Sequence, residues 1–116
     1  MNESNIKVNA VSQGWNAFMY ACAFGNVDIV QMFLNKLYES IDMNVTDQVF
    51  GRTAFMWACS NGKTDVVRVL LQDCNKSIDL NATDNSGRTA CMLADRYNRK
   101  DVVELLVNHA TVEIKK

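Results

Sequence analysis

Residues 51–71 read GRTAFMWACSNGKTDVVRVLL, and the reading of this stretch decides the fold. It holds two apolar runs of helical period with a glycine between them. Thr53 stands just before the first run, where a hydroxyl can accept a hydrogen bond from an unpaired amide of the opening turn. Phe55, Ala58 and Cys59 then fall at i, i+3 and i+4, one face of a helix. Gly62 sits where that helix stops and a left-handed residue is wanted. Asp65 lies in the first turn of the second run, where a carboxylate favours the exposed N–H groups. Val66, Val67, Leu70 and Leu71 give that run one continuous apolar face. The stretch predicts two short antiparallel helices joined by a tight turn.

The same pattern occurs once on either side. Residues 14–34 read GWNAFMYACAFGNVDIVQMFL and residues 87–107 read GRTACMLADRYNRKDVVELLV. Their glycines stand at Gly14, Gly51 and Gly87, so the intervals are 51 − 14 = 37 and 87 − 51 = 36. Asn16 and Thr89 take the capping place, Gly25 and Asn98 the left-handed place, and Asp28 and Asp101 the first turn of the second helix. The corresponding apolar faces are Ile29, Val30, Phe33 and Leu34, and Val102, Val103, Leu106 and Val107. A shorter phrase keeps step with them: IKVN ending at Asn9, IDMN at Asn44 and IDLN at Asn81. Helix pairs this short cannot bury both faces alone and must stack on copies of themselves.

These residues resemble the ankyrin-repeat family, whose unit of about 33 residues opens its first helix with Thr-Pro-Leu-His-x-Ala. The matching strings are NAFMYA, TAFMWA and TACMLA, and the resemblance covers roughly residues 6–110. It implies an all-α ankyrin-repeat solenoid of three helix–turn–helix pairs linked by β-hairpin-like loops. As a single domain it divides into a partial N-terminal hairpin at 1–13, repeats at 14–50 and 51–86, and a C-terminal repeat and tail at 87–116. Proline is absent, and Ala17, Ala54 and Ala90 occupy its place in the first turn. Met19, Met56 and Met92 stand where the family has histidine, and their regular spacing marks them as core. The segment QDCNKSIDL between Leu71 and Asn81 is longer than the family's, which predicts a longer second helix or a longer loop after it.

Composition narrows the function. With 12 basic and 13 acidic residues among 116, the formal net charge is −1, which offers no attraction to nucleic acid or an anionic membrane surface. No apolar run approaches the ~18 residues of a membrane span, and the first residues lack the pattern of a secretory signal. Cys22, Cys59, Cys74 and Cys91 form no Cys-x-x-Cys pair, and His109 is the only histidine. The expectation is four free thiols in a reducing compartment, the cytoplasm or alternatively the nucleus, with no metal and no cofactor. Cys22 and Cys59 read as small core residues, and Cys74, placed in a loop, as the most reactive thiol. His109 stands far along the chain from Cys22 and Cys59, and the aspartates recur once per repeat to serve helix ends and loops. No enzyme is expected.

The resemblance implies a protein partner held against the hairpin tips and the concave row of first helices. Carried over position by position, the tip residues are Trp15, Gln48, Val49, Phe50, Arg52, Asn85 and Arg88. The first-helix residues are Tyr20, Phe24, Trp57, Asn61, Arg96 and Tyr97. Aromatic and arginine side chains are the types that anchor interfaces. A monomer is expected, with self-association through the N-terminal end as the alternative. There the helix AFMYACAF carries no charge, and only Ile6, Val8 and Val11 before Gly14 offer apolar cover. The third unit, with Asp95 where the others have Cys22 and Cys59, is expected to be the polar end. The alternative function is a regulatory or targeting segment of a longer multidomain protein, one whose other part is an enzyme.

Overall fold

The computed structural model describes residues 16–37, 41–74 and 78–115, the side chains of 37 and of 110–115 excepted. Among the described residues lie six helices and no strand. They are α1 (Ala17–Phe24), α2 (Val27–Leu37), α3 (Ala54–Ser60), α4 (Thr64–Cys74), α5 (Ala90–Arg96) and α6 (Lys100–Lys115). The first helices form one row, α1 against α3 and α3 against α5, and the second helices form another, α2 against α4 and α4 against α6. Each first helix also packs on its own second helix, so the core lies between the two rows. The partial hairpin expected at 1–13, with its Ile6, Val8 and Val11, lies outside the described residues, as does Trp15.

Local chemistry sets the helix boundaries. Asn16, Thr53 and Thr89 are extended N-caps whose side-chain oxygens accept from the amides of Met19, Met56 and Met92 at 2.8, 3.2 and 3.3 Å. Asp28, Asp65 and Asp101 occupy the first turns of α2, α4 and α6. Gly62 and Asn98 turn the chain through left-handed φ values of 71° and 62°. Gly25 corrects the sequence expectation, since it is extended with φ −84°. Glycine is required there for room, because a Cβ would lie 2.6 Å from the Ala21 carbonyl oxygen.

Burial follows the number of neighbours. Met19 and Met56 are each 1% exposed, whereas Met92, expected in the core, is 54% exposed. Ile29 and Val107, both placed on buried faces from the sequence, are also exposed, while their middle-repeat counterparts Val66 and Leu71 are buried. Among the described residues the middle repeat has a repeat packed on each side, and each flanking one has a repeat on one side only. The C-terminal end is therefore not the wholly polar one expected: Asp95 and Arg96 are exposed there beside Met92 and Val107.

Cys74 is a further correction. It is the last residue of α4, not a loop residue, and it is buried. The helix runs three residues beyond Leu71, which favours the longer-helix reading of the QDCNKSIDL segment. Burial, with a smaller contribution from Asp73, pushes the Cys74 thiol up to about 11, so it is the opposite of a reactive group. Burial also raises Cys22 and Cys59, and Cys91 is only half-buried.

Candidate protein-interaction surface

The loops between helix pairs close on buried aspartates. In the first, the Asp47 amide donates to the Arg52 carbonyl at 3.0 Å. Its Oδ1 accepts from the amides of Phe50 and Gly51 at 2.6 and 2.9 Å, and its Oδ2 from Trp57 Nε1 at 2.6 Å. In the second, the Asp84 amide donates to the Arg88 carbonyl at 2.9 Å, and Oδ1 accepts from the amides of Ser86 and Arg88 at 2.8 and 3.0 Å. A carboxylate satisfied by backbone N–H groups in this way fixes a tight turn as firmly as a short ladder would. The two loops are also tied together. The Asn85 amide donates to the Phe50 carbonyl at 2.9 Å, and Asn85 Nδ2 donates to the Val49 carbonyl at 3.3 Å.

Arg52 organises the surface without standing on it. Expected at an exposed tip, it is only 5% exposed, and its Nε donates to Asp84 Oδ2 at 3.3 Å. Its guanidinium carbon lies 4.7 Å from the centre of the Phe50 ring, 4.8 Å from Trp57 and 5.9 Å from Tyr97. Phe50 and Trp57 meet edge-on at 5.6 Å. One cation from the middle repeat thus joins its own two rings to an aspartate and a tyrosine of the next. Desolvation pushes the Asp84 carboxyl up, but the Arg88 and Ser86 amides and Arg52 together outweigh it and hold the group below the usual carboxylate range. The Arg52 guanidinium, assisted by Arg96, holds the Tyr97 phenol below its usual range.

Around this core the aromatics are open. Phe24 is 63% exposed, Tyr20 49%, Phe50 47% and Tyr97 43%, and Val49 is exposed beside them. Tyr20 and Phe24 lie one turn apart with ring centres 6.4 Å from each other. Gln48, Asn85 and Arg96 are exposed, while Trp57, Asn61 and Arg88 are half-buried. Asn61 stitches repeats together, its Nδ2 donating to the Ala23 carbonyl at 3.0 Å. Arg99 does the same for the next junction, with Nε donating to the Ser60 carbonyl at 2.9 Å. The once-per-repeat recurrence of aspartates assigns Asp47 and Asp84 to the loops but does not reveal their organising role. The Thr-Asp pairs at 46–47 and 83–84 were the available signal, since an aspartate at a tight turn commonly accepts from backbone amides.

Among the described residues, no group of three His, Cys, Asp or Glu side chains could hold a metal ion, and no helix is long and apolar enough to cross a membrane. Comparison with known sequences finds ankyrin repeats (three copies) at residues 33–116 and ankyrin repeats (many copies) at residues 3–34. The chain belongs to the ankyrin-repeat family. Ankyrin repeats are protein–protein interaction modules, and this chain is one of them. A solved structure of a predatory endopeptidase from Bdellovibrio bacteriovorus in complex with an immunity protein contains a chain similar to this one. The match has a TM-score of 0.70 and 30% identity and covers 83% of the ankyrin-repeat chain and 47% of the other, so the present chain spans about half that length. No curated protein matches the chain in sequence.

Proposed function

We propose that this ankyrin-repeat chain holds a protein partner against the aromatic surface formed by Tyr20, Phe24, Phe50 and Tyr97, binding it without transforming it. The observation that carries the reading is the pairing of exposed rings with a buried support. Phe50 and Tyr97 flank a guanidinium that is itself fixed by Asp84, so their positions are set before any partner arrives. Rigid aromatic anchors lose little conformational freedom on binding, which is why they dominate interface energetics. Gln48, Asn85 and Arg96 form the polar rim, Val49 adds an exposed apolar contact at the loop tip, and Trp57 and Arg52 act from beneath.

The likeness to a chain from an endopeptidase–immunity protein complex supports a stable complex with a folded protein as the output. The chain acts as a monomer toward that partner, in a reducing compartment; the four free thiols support the compartment. The test is affinity capture with the full chain as bait, followed by titration of the captured partner. Phe50→Ala and Tyr97→Ala each weaken binding by more than about 1 kcal/mol while the melting curve stays close to that of the parent. Affinity that survives both changes and falls with Lys36→Ala or Arg68→Ala, on the outer helices, puts the interface on the wrong face.

A further inference from the structure

Each junction inside the stack shows what one repeat requires of the next. Arg52 reaches forward to Asp84 at 3.3 Å and lies beside Tyr97, both supplied by the following repeat. Met56 and Leu71 are buried at 1% and 6% exposure. The third repeat presents the same three groups. Arg88 corresponds to Arg52, Met92 to Met56 and Val107 to Leu71, each separated by 36 residues, the interval between Gly51 and Gly87. Their surroundings differ. Arg88 is half-exposed and makes no ion pair among the described residues, and Met92 and Val107 are 54% and 51% exposed. Where Arg52 has the Trp57 ring from its own repeat, Arg88 has Leu93, so no ring of its own shields the guanidinium. Among the described residues Arg88 has no counterpart of Asp84, and Met92 lacks the cover that Met56 has.

We propose that this end of the stack is a second docking site, for a partner protein presenting an acidic turn whose carboxylate meets Arg88 and whose neighbouring apolar side chain covers Met92. The chemistry is read from the internal junction: an aspartate held by its own turn amides is the group that satisfies the equivalent guanidinium one repeat earlier. Beyond Met92 the contact continues along a groove on α6 whose apolar lining is Val103 and Val107, with the acids Asp95 and Glu104 and the bases Arg99 and Lys100 around it. The inference rests on the reading of this chain as a protein-binding module but concerns a different face from the aromatic surface.

The probe is a cyclised peptide of residues 78–90, IDLNATDNSGRTA, the loop that meets Arg52 inside the stack. It is titrated into the full isotope-labelled chain and followed by nuclear magnetic resonance. Binding moves the Arg88 Nε–H signal toward that of Arg52 and shifts the Met92 methyl. Replacing the peptide's Asp84 by Asn, or Arg88 of the protein by Ala, weakens binding at least tenfold, with an unchanged melting curve showing that the variant is folded. Phe50→Ala leaves peptide affinity unchanged, which separates this site from the aromatic surface. A peptide that does not bind, that binds Arg88→Ala equally well, or that perturbs Tyr20 and Tyr97 instead, overturns the proposal. So does a concentration-dependent dimer dissolved by Arg88→Glu, which would give the face to a second copy. Loss of partner capture on Phe50→Ala with no effect of Arg88→Ala sinks this inference and leaves the aromatic surface standing.

Discussion

The middle and third repeats place closely similar residues at corresponding positions and treat them differently. Met56 is 1% exposed and Met92 54%; Arg52 is fixed between three rings and an aspartate, and Arg88 is not. Neither difference resides in the residue itself. It comes from the neighbours among the described residues, where a repeat is stacked beyond the middle one and none beyond the third, because in a solenoid each unit buries its forward face only against its neighbour. A side chain in such a protein has no fixed energetic value. Its value is set by the junction it joins.

The comparison can be broken first at the arginines, where the expected gap is widest. Arg52→Ala leaves the buried Asp84 without its cation and removes the centre of three ring contacts, so it costs about 3–5 kcal/mol by chemical denaturation. Arg88→Ala, at a half-exposed site without an ion pair, changes stability by no more than about 0.5 kcal/mol. Equal costs for the two would show that the forward reach of Arg52 contributes nothing. The methionines sharpen the same contrast. Met56→Ala opens a cavity in a closed core and lowers stability by at least about 2 kcal/mol, whereas Met92→Ala falls within about 0.5 kcal/mol. A large loss at Met92 would mean that a neighbour covers it.

A smaller effect concerns acid. The folded pKa of Asp84 lies below its ordinary value of about 3.9. Its contribution is therefore complete above that ordinary value and is lost as pH falls through the depressed folded value. The melting temperature of the parent chain should drop between pH 5 and pH 3 by more than that of Asp84→Asn. Matching slopes would remove Asp84 from the account of the junction. The last prediction leaves stability untouched. A water-soluble thiol reagent reacts with Cys91 first in the native chain, and with Cys22, Cys59 and Cys74 only as fast as the fold opens, because their burial disfavours the thiolate. After denaturation without reductant all four react, and early modification of Cys74 would contradict its placement in α4.

Much of this protein is written in its sequence because the information is local. The capping roles of Asn16, Thr53 and Thr89, the left-handed turns at Gly62 and Asn98, and the apolar stripe of α4 each depend on residues within a few positions of one another. Repetition at intervals of 37 and 36 then made stacking unavoidable, since none of these helix pairs can bury both faces alone. Apart from local details such as the extended Gly25 and the Asp47 turn, what the sequence left undetermined involves partners 32 or more positions away. Nothing local told that Arg52 would turn inward to Asp84 while Arg88 would not, since the two sit in the same Gly-Arg-Thr string. Nor did periodicity separate Met92 from Met56, or Ile29 from Val66, because period reports which face a residue is on and not whether that face is covered. Burial and charge pairing are properties of contacts between repeats, and only the tertiary structure supplies the contacts.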